Sequence, residues 1–155
     1  SRYPDTYFVL CGDGSLKENL IETAKNSGLI DSIIFTGYVP ENLKPLYYRA
    51  ADIFVLPSFS EAFPLTLLEA GAAALPIIAT DIGGISDILH DEINGYITKI
   101  GDPEDLANKI VSLLDDDERR KEMGIKGQIL VEQYSWEKVA EQTEKLYLDS
   151  IRRRN

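Results

Sequence analysis

Short apolar runs alternate along the chain with longer stretches in which apolar positions return every three or four residues. The short runs, at 7–11, 33–36, 53–56, 76–79 and 96–100, are predicted as strands. The longer stretches, at 15–27, 42–50, 64–74, 102–115 and from 116 onward, are predicted as helices, with a short helical segment opened by Gly83-Gly84 and a break near Tyr134-Ser135. Turn residues separate them: Gly12-Asp13-Gly14, Gly37, Pro57 and Asn94-Gly95. Ser15 followed by Glu18 reads as a capping box, with Leu16, Leu20, Ile21 and Ala24 on one helical face. Asp102 before Pro103 reads as a cap with proline in the first turn. The alternation predicts an α/β fold with a doubly wound, Rossmann-like parallel sheet. Such sheets take ligands at the carboxyl ends of their strands, which directs attention to the loops at 12–15, 37–42, 57–64 and 80–85. No repeat or linker divides the sequence, so residues 1–155 are expected to form a single domain with a final helix at about 136–151.

Composition narrows the function. A chain of 155 residues, 44% hydrophobic and 27% charged, is long enough to bury a core. Its 26 acidic and 16 basic residues give a net charge of -10, which argues against a nucleic-acid partner, since phosphate binding needs a surplus of cations. Cys11, the one cysteine, ends a strand and reads as a small buried apolar residue. His90, beside Asp91 and Glu92, reads as a surface residue, and no Cys/His set has metal-ligand spacing. No apolar run approaches the roughly 20 residues that span a bilayer, and Ser1-Arg2-Tyr3-Pro4-Asp5 lacks signal-peptide character. A cytoplasmic location is expected, with peripheral association of a parent protein at the inner membrane face compatible with it. Arg152-Arg153-Arg154 reads as a solvated tail, with a phosphate or membrane contact as the alternative. Trp136, Val139, Ala140, Thr143, Leu146 and Tyr147 form an apolar stripe on the final helix. It either packs on its own domain or stays exposed and favours self-association.

The chemistry is densest between Pro57 and Ala70. Glu61 falls in the loop after a strand, and Glu69 lies one to two turns into the following helix. A helix N-terminus suits a phosphate, and a carboxylate beside it accepts hydrogen bonds from sugar hydroxyls, so the pair suggests a ligand carrying both. The plainer reading stands beside it: acidic residues favour the first turns of helices for dipole reasons, and Leu65, Leu67, Leu68 and Ala70 are core material. Gly12-Asp13-Gly14 is either a ligand contact or only a turn.

The order of motifs resembles a known family. Pro57-Ser58, Glu61-x7-Glu69-Ala70 and Leu75-Pro76-Ile77-Ile78-Ala79-Thr80-Asp81-Ile82-Gly83-Gly84 are similar to the C-terminal nucleotide-sugar-binding domain of GT-B retaining glycosyltransferases, more narrowly glycosyltransferase family four with its E-x7-E motif. Gly12-Asp13-Gly14, Phe35-Thr36-Gly37-Tyr38-Val39, Asn94-Gly95, Gly101-Asp102-Pro103 and Tyr134-Ser135-Trp136 agree in order. The resemblance implies that Glu61 is catalytic and faces the transferred sugar, and that Glu69 holds the ribose. It implies that Ser58, Ala62, Phe63, Pro64, Leu65 and Thr66 line the donor, with Gly12 and Gly14, and that Gly37, Tyr38 and Val39 line its base. Residues 80–84 would border the sugar end.

The implied activity is transfer of a hexose from a nucleotide diphosphate sugar (UDP-, GDP- or ADP-linked) to a hydroxyl acceptor in glycan, polysaccharide or glycolipid synthesis. No metal and no cofactor beyond this donor is implied. An epimerase-like domain and a non-catalytic nucleotide-sugar-binding or interaction module are the alternatives. Two departures matter. Pro64 stands where the family usually has glycine, and proline has no N–H to offer. No Lys or Arg occurs between Arg49 and Lys99, so cations for a diphosphate are expected from outside this stretch. The family's acceptor-binding N-terminal domain is absent from the sequence, which makes it an expected partner and implies that the chain alone is inactive.

Overall fold

The computed structural model describes residues 3–152, leaving Arg153 and Arg154 of the basic tail outside the described residues. Its elements run β1 (Phe8–Cys11), α1 (Lys17–Asn26), β2 (Ile33–Gly37), α2 (Lys44–Ala50), β3 (Phe54–Leu56), α3 (Leu65–Ala72), β4 (Ile77–Thr80), β5 (Gly95–Thr98), α4 (Pro103–Leu114), α5 (Asp117–Val131) and α6 (Trp136–Arg152), with short 3-10 turns at Ile30–Ser32, Ile85–Asp87 and Glu132–Tyr134. This is the predicted α/β alternation, and every strand pair is parallel. The chain forms two compact units, divided between Lys44 and Pro45.

The first unit is a β–α–β element. β1 and β2 pair from Phe8↔Ile33 to Cys11↔Gly37, with an irregularity between Leu10 and Cys11. Helix α1 starts one residue later than its capping-box signal predicts. Leu16 occupies the cap position without a side-chain bond, and its carbonyl accepts the Leu20 N–H at 3.0 Å. Glu18 is thereby moved to the second helical position, from which it cannot reciprocate a Ser15 cap. Of the predicted face only Ala24 is buried; Leu16 and Leu20 are exposed. Cys11 is also exposed, against expectation, because all four residues of β1 are exposed within this unit.

The second unit holds a three-stranded sheet in the order β3-β4-β5. All four residues of β4 are buried, as expected of a central parallel strand covered on both faces. Its side chains alternate: Ile77 and Ala79 join Leu67, Ala70, Leu75, Ile85, Ile88, Leu89 and Val131, whereas Ile78 packs with Leu113 and Met123. Asp102 caps α4 as predicted, accepting the Asp105 N–H at 2.9 Å with Pro103 at the first position.

Helix α5 reverses the usual amphipathic reading. Gly124 and Gly127 are buried with Met123 and Val131, whereas Ile125 and Ile129 are exposed. The reason is distance: a Cβ at Gly124 would stand 1.9 Å from the Ala74 carbonyl oxygen. Only glycine lets α5 approach that backbone.

Helix α6 has no buried residue. Trp136 is 80% exposed and Leu146 and Tyr147 are each 68% exposed, so the stripe does not pack on the unit that carries it.

Candidate functional site

In the second unit the loop between β3 and α3 carries the residues 58–64. Pro57 ends the strand, and Pro64 sits at the cap position of α3 with φ -79° and ψ 101°. Proline holds φ near this value without cost, so the helix begins at Leu65, one residue after the predicted start. The buried ring of Pro64 contrasts with the exposed side chains of Ala62, Phe63 and Leu65. Leu65, read from sequence as core, faces outward, while Leu67 and Ala70 supply the buried contacts.

Both motif glutamates are held by hydroxyl groups. Ser58 Oγ donates to Glu61 Oε1 at 2.9 Å. The carbonyl of the same serine accepts the hydroxyl of buried Thr80 at 2.6 Å, so the loop is fastened to the carboxyl end of β4. Glu69, the fifth residue of α3, accepts the phenol of Tyr48 on Oε2 at 2.6 Å. The Tyr48–Glu69 contact has the short length of a hydroxyl-to-carboxylate bond, a kind stronger than a neutral pair.

The loop after β4 presses on the Glu61 loop from another side. Gly84 donates its amide to the Ala62 carbonyl at 3.1 Å. Gly83 has φ +54°, and a Cβ there would lie 1.9 Å from the Glu61 carbonyl oxygen. The ring of Phe63 meets that of Tyr134 at 5.9 Å, tilted by 53°. Tyr134 donates its hydroxyl to the Asp87 carbonyl at 2.7 Å; burial, then the Asp87 charge, pushes its phenol above the usual range and keeps it a donor.

In the first unit the predicted glycines are internally engaged. The Gly12 N–H donates to the Gly37 carbonyl at 2.9 Å, and the Gly14 N–H donates to Asp13 Oδ1 at 2.8 Å. Lys17 lies 3.6 Å from Asp13 Oδ2. A cavity of about 280 Å³ is lined by residues 10–14 with Leu16, Lys17, Leu20 and Phe35. Of the residues expected to line a base, Gly37 and Val39 are buried, Val39 at 7%, and Tyr38 is 74% exposed, so only the tyrosine presents its side chain to solvent.

The sequence singles out neither Tyr48 nor Lys17, and it includes Thr80 only within the 80–84 stretch, without its bond to Ser58. Tyr47 and Tyr48 are adjacent on α2, and nothing in the linear pattern tells which one meets a carboxylate 21 residues away. Thr80 carried a faint signal, as the polar end of an otherwise apolar strand.

Comparison with known proteins shows the family. The family profile of glycosyl transferases group 1 matches residues 1–129. N-acetyl-alpha-D-glucosaminyl L-malate synthase of Bacillus anthracis is 34% identical over 149 residues, covering 96% of this chain and 39% of that protein. The crystal structure of the C-terminal domain of a group 1 glycosyl transferase, LpcC of Francisella tularensis, superposes with a TM-score of 0.78 at 35% identity, covering 85% of this chain and 71% of that one. A variant of S. aureus TarM, solved with fondaparinux, alpha-GlcNAc-glycerol and UDP, superposes with a TM-score of 0.81 at 28% identity, covering 91% of this chain and 29% of that one. The chain spans about two fifths of the length of the first curated relatives it matches.

Proposed function

The chain belongs to the group 1 glycosyl transferases, of the GT-B type, and on that premise we propose that it is the donor-binding domain of a retaining hexosyltransferase of family four. The donor is a nucleotide diphosphate sugar. The bond from the anomeric carbon to the diphosphate breaks, a bond from an acceptor hydroxyl oxygen forms on the same face of the sugar, and the hydroxyl proton is released. The observation that carries this reading is the placement of the two carboxylates of the E-x7-E spacing. One is in the loop leaving β3 and the other one turn into α3, and each is held by a hydroxyl donor.

In this reading Glu61 orients the sugar and stabilises positive character at its anomeric carbon, and Glu69 accepts the ribose hydroxyls. Residues 62–66 line the donor, Phe63 and Leu65 by their exposed side chains. Pro64 offers no N–H donor, and its carbonyl already accepts the Leu67 N–H at 3.0 Å. Gly12, Gly14, Gly37, Tyr38 and Val39 are assigned to the donor as well. The amides of Gly12 and Gly14 are already engaged, so contact there runs through their Cα surfaces. Leaving-group charge must be met by preorganised donors and cations. With no Lys or Arg between Arg49 and Lys99, those cations are assigned to the remainder of a longer protein, together with the acceptor site. Transfer therefore requires that remainder. A bound UDP in the TarM variant supports a uridine donor among the candidates. Among the described residues no helix is long and apolar enough to cross a membrane; a cytoplasmic location with peripheral attachment at the inner membrane face fits the reading.

Calorimetric titration of the chain with UDP, GDP and ADP, alongside Glu69→Ala, tests it. Saturable binding of one nucleotide that the substitution weakens is expected. Binding indifferent to Glu69 overturns the ribose assignment. One observation favours a second reading, a non-catalytic binding module: Pro64 removes an N–H donor where the family usually has glycine. Transfer by the complete protein separates the two readings.

A further inference from the structure

We propose that Tyr48 is a positioning residue for Glu69, so that ribose recognition depends on a phenol outside the E-x7-E motif; this rests on the donor-site reading above. The phenol donates to Glu69 Oε2 at 2.6 Å. Its ring is itself fixed: Tyr48 packs against the core formed by Leu67, Ala70 and their neighbours, and its centroid lies 5.8 Å from that of Phe54 on β3, tilted by 49°. A glutamate side chain has three rotatable bonds before its carboxylate, and each unfixed bond costs entropy when a ligand is met. Tying Oε2 to a group held by the core removes most of that freedom and leaves Oε1 to be presented in one direction. One hydroxyl-to-carboxylate bond thus spends one oxygen to aim the other, the usual logic of a preorganised site.

The dependence should be specific for ribose hydroxyls, because the phosphate and base do not require this carboxylate. Tyr48→Phe keeps the ring and its packing and deletes only the hydroxyl. In calorimetry on the 155-residue chain, Tyr48→Phe is expected to weaken the bound nucleoside diphosphate by roughly tenfold, the value of one hydrogen bond to a charged group. It is expected to leave the 2′,3′-dideoxy counterpart unchanged. The double variant Tyr48→Phe/Glu69→Ala should bind no more weakly than Glu69→Ala alone. Equal weakening of the ribo and dideoxy forms means a merely structural role and overturns the proposal, as does wild-type affinity in Tyr48→Phe while Glu69→Ala is impaired. That last outcome leaves the donor-site reading standing. Binding insensitive to both substitutions removes that reading and the role of Tyr48 with it. Crystal structures of the two chains give a check that needs no nucleotide: the Glu69 carboxylate is expected at Tyr48 in the native chain and displaced in Tyr48→Phe. An unmoved carboxylate overturns the proposal.

Discussion

Ser58 and Glu61 are joined by a hydroxyl-to-carboxylate hydrogen bond of 2.9 Å, while the backbone of the same serine is fastened to Thr80 at the end of β4. The carboxylate assigned to catalysis is therefore referenced to the central strand and does not hang from a free loop. Ser58→Ala should lower turnover of the complete protein by about tenfold, with nucleotide affinity nearly unchanged, since one charge-assisted hydrogen bond is lost. Ser58→Thr should restore most of it. Glu61→Ala should lower turnover further than Ser58→Ala. Unaltered turnover in Glu61→Ala would remove its assigned role.

Gly83 and Gly14 make a paired test of where side-chain volume is allowed. A Cβ at Gly83 meets the Glu61 carbonyl oxygen at 1.9 Å in a left-handed backbone, whereas nothing lies within 4 Å of one at Gly14. Gly83→Ala should destabilise the fold by about 3 kcal/mol, or displace the Glu61 loop, through strain and overlap together. Gly14→Ala should cost under about 1 kcal/mol. Urea titration of both variants gives the comparison.

Asn94 is fully buried and makes two bonds in one turn. Its Oδ1 accepts the His90 N–H at 2.7 Å, and its Nδ2 donates to the Ile88 carbonyl at 2.9 Å. Asn94→Ala leaves the buried Ile88 carbonyl and the half-buried His90 N–H without these partners. A loss of about 3 kcal/mol is expected in denaturant unfolding, because each buried unsatisfied group costs about 1–3 kcal/mol.

Asp105 predicts a pH response. The Lys99 N–H and the Thr98 hydroxyl bond its Oδ2, and these bonds hold the carboxyl below its ordinary range. A carboxylate depressed on folding contributes stability above its unfolded value of about 3.9 and loses it as pH falls through the lower folded value. Thermal midpoints measured from pH 5 down to pH 2 should therefore fall more steeply in the native chain than in Asp105→Asn. Parallel curves would show that Asp105 is not a source of the acid sensitivity.

The outward face of α6 predicts association. With Trp136, Leu146 and Tyr147 exposed, sedimentation of the 155-residue chain should show a mass that rises with concentration, as exposed apolar patches promote. Leu146→Glu with Tyr147→Glu should abolish the rise. A native chain that stays monomeric across the concentration range would refute this.

Periodicity located the strands and helices because β4 and its neighbours alternate or run apolar as buried parallel strands do. Asp102-Pro103 located the start of α4 because a cap and a proline act within one turn. Ser15 misled because capping depends on which carbonyl opens the ladder, and the Gly12-Asp13-Gly14 loop hands that role to Leu16. Helix α5 was legible as a helix but not in its orientation. Its contact face is chosen by closeness to the Ala74 backbone, which favours glycine, and hydrophobicity cannot report that. Cys11 was misjudged for a related reason: the end of a strand is buried only if something covers it.

The site was legible where chemistry sits in one short stretch. The spacing of Glu61 and Glu69 identified both carboxylates as candidates, and Ser58, the hydroxyl partner of Glu61, stands only three residues before it, but the hydroxyls that fasten Ser58 and Glu69 come from far along the chain. Thr80 is 22 positions from Ser58 and Tyr48 is 21 from Glu69, separations that only folding closes. Such partnerships leave no periodic trace.

The bond from the Gly84 amide to the Ala62 carbonyl turns one backbone proton into a gauge of the loop beside it. Exchange of that proton with solvent deuterium requires the two loops to part. Its exchange rate, read by a single resonance with no label added at the glutamate, therefore reports how often residues 61 and 62 leave their resting place. A ligand that seats against them should slow the exchange before any turnover is measured.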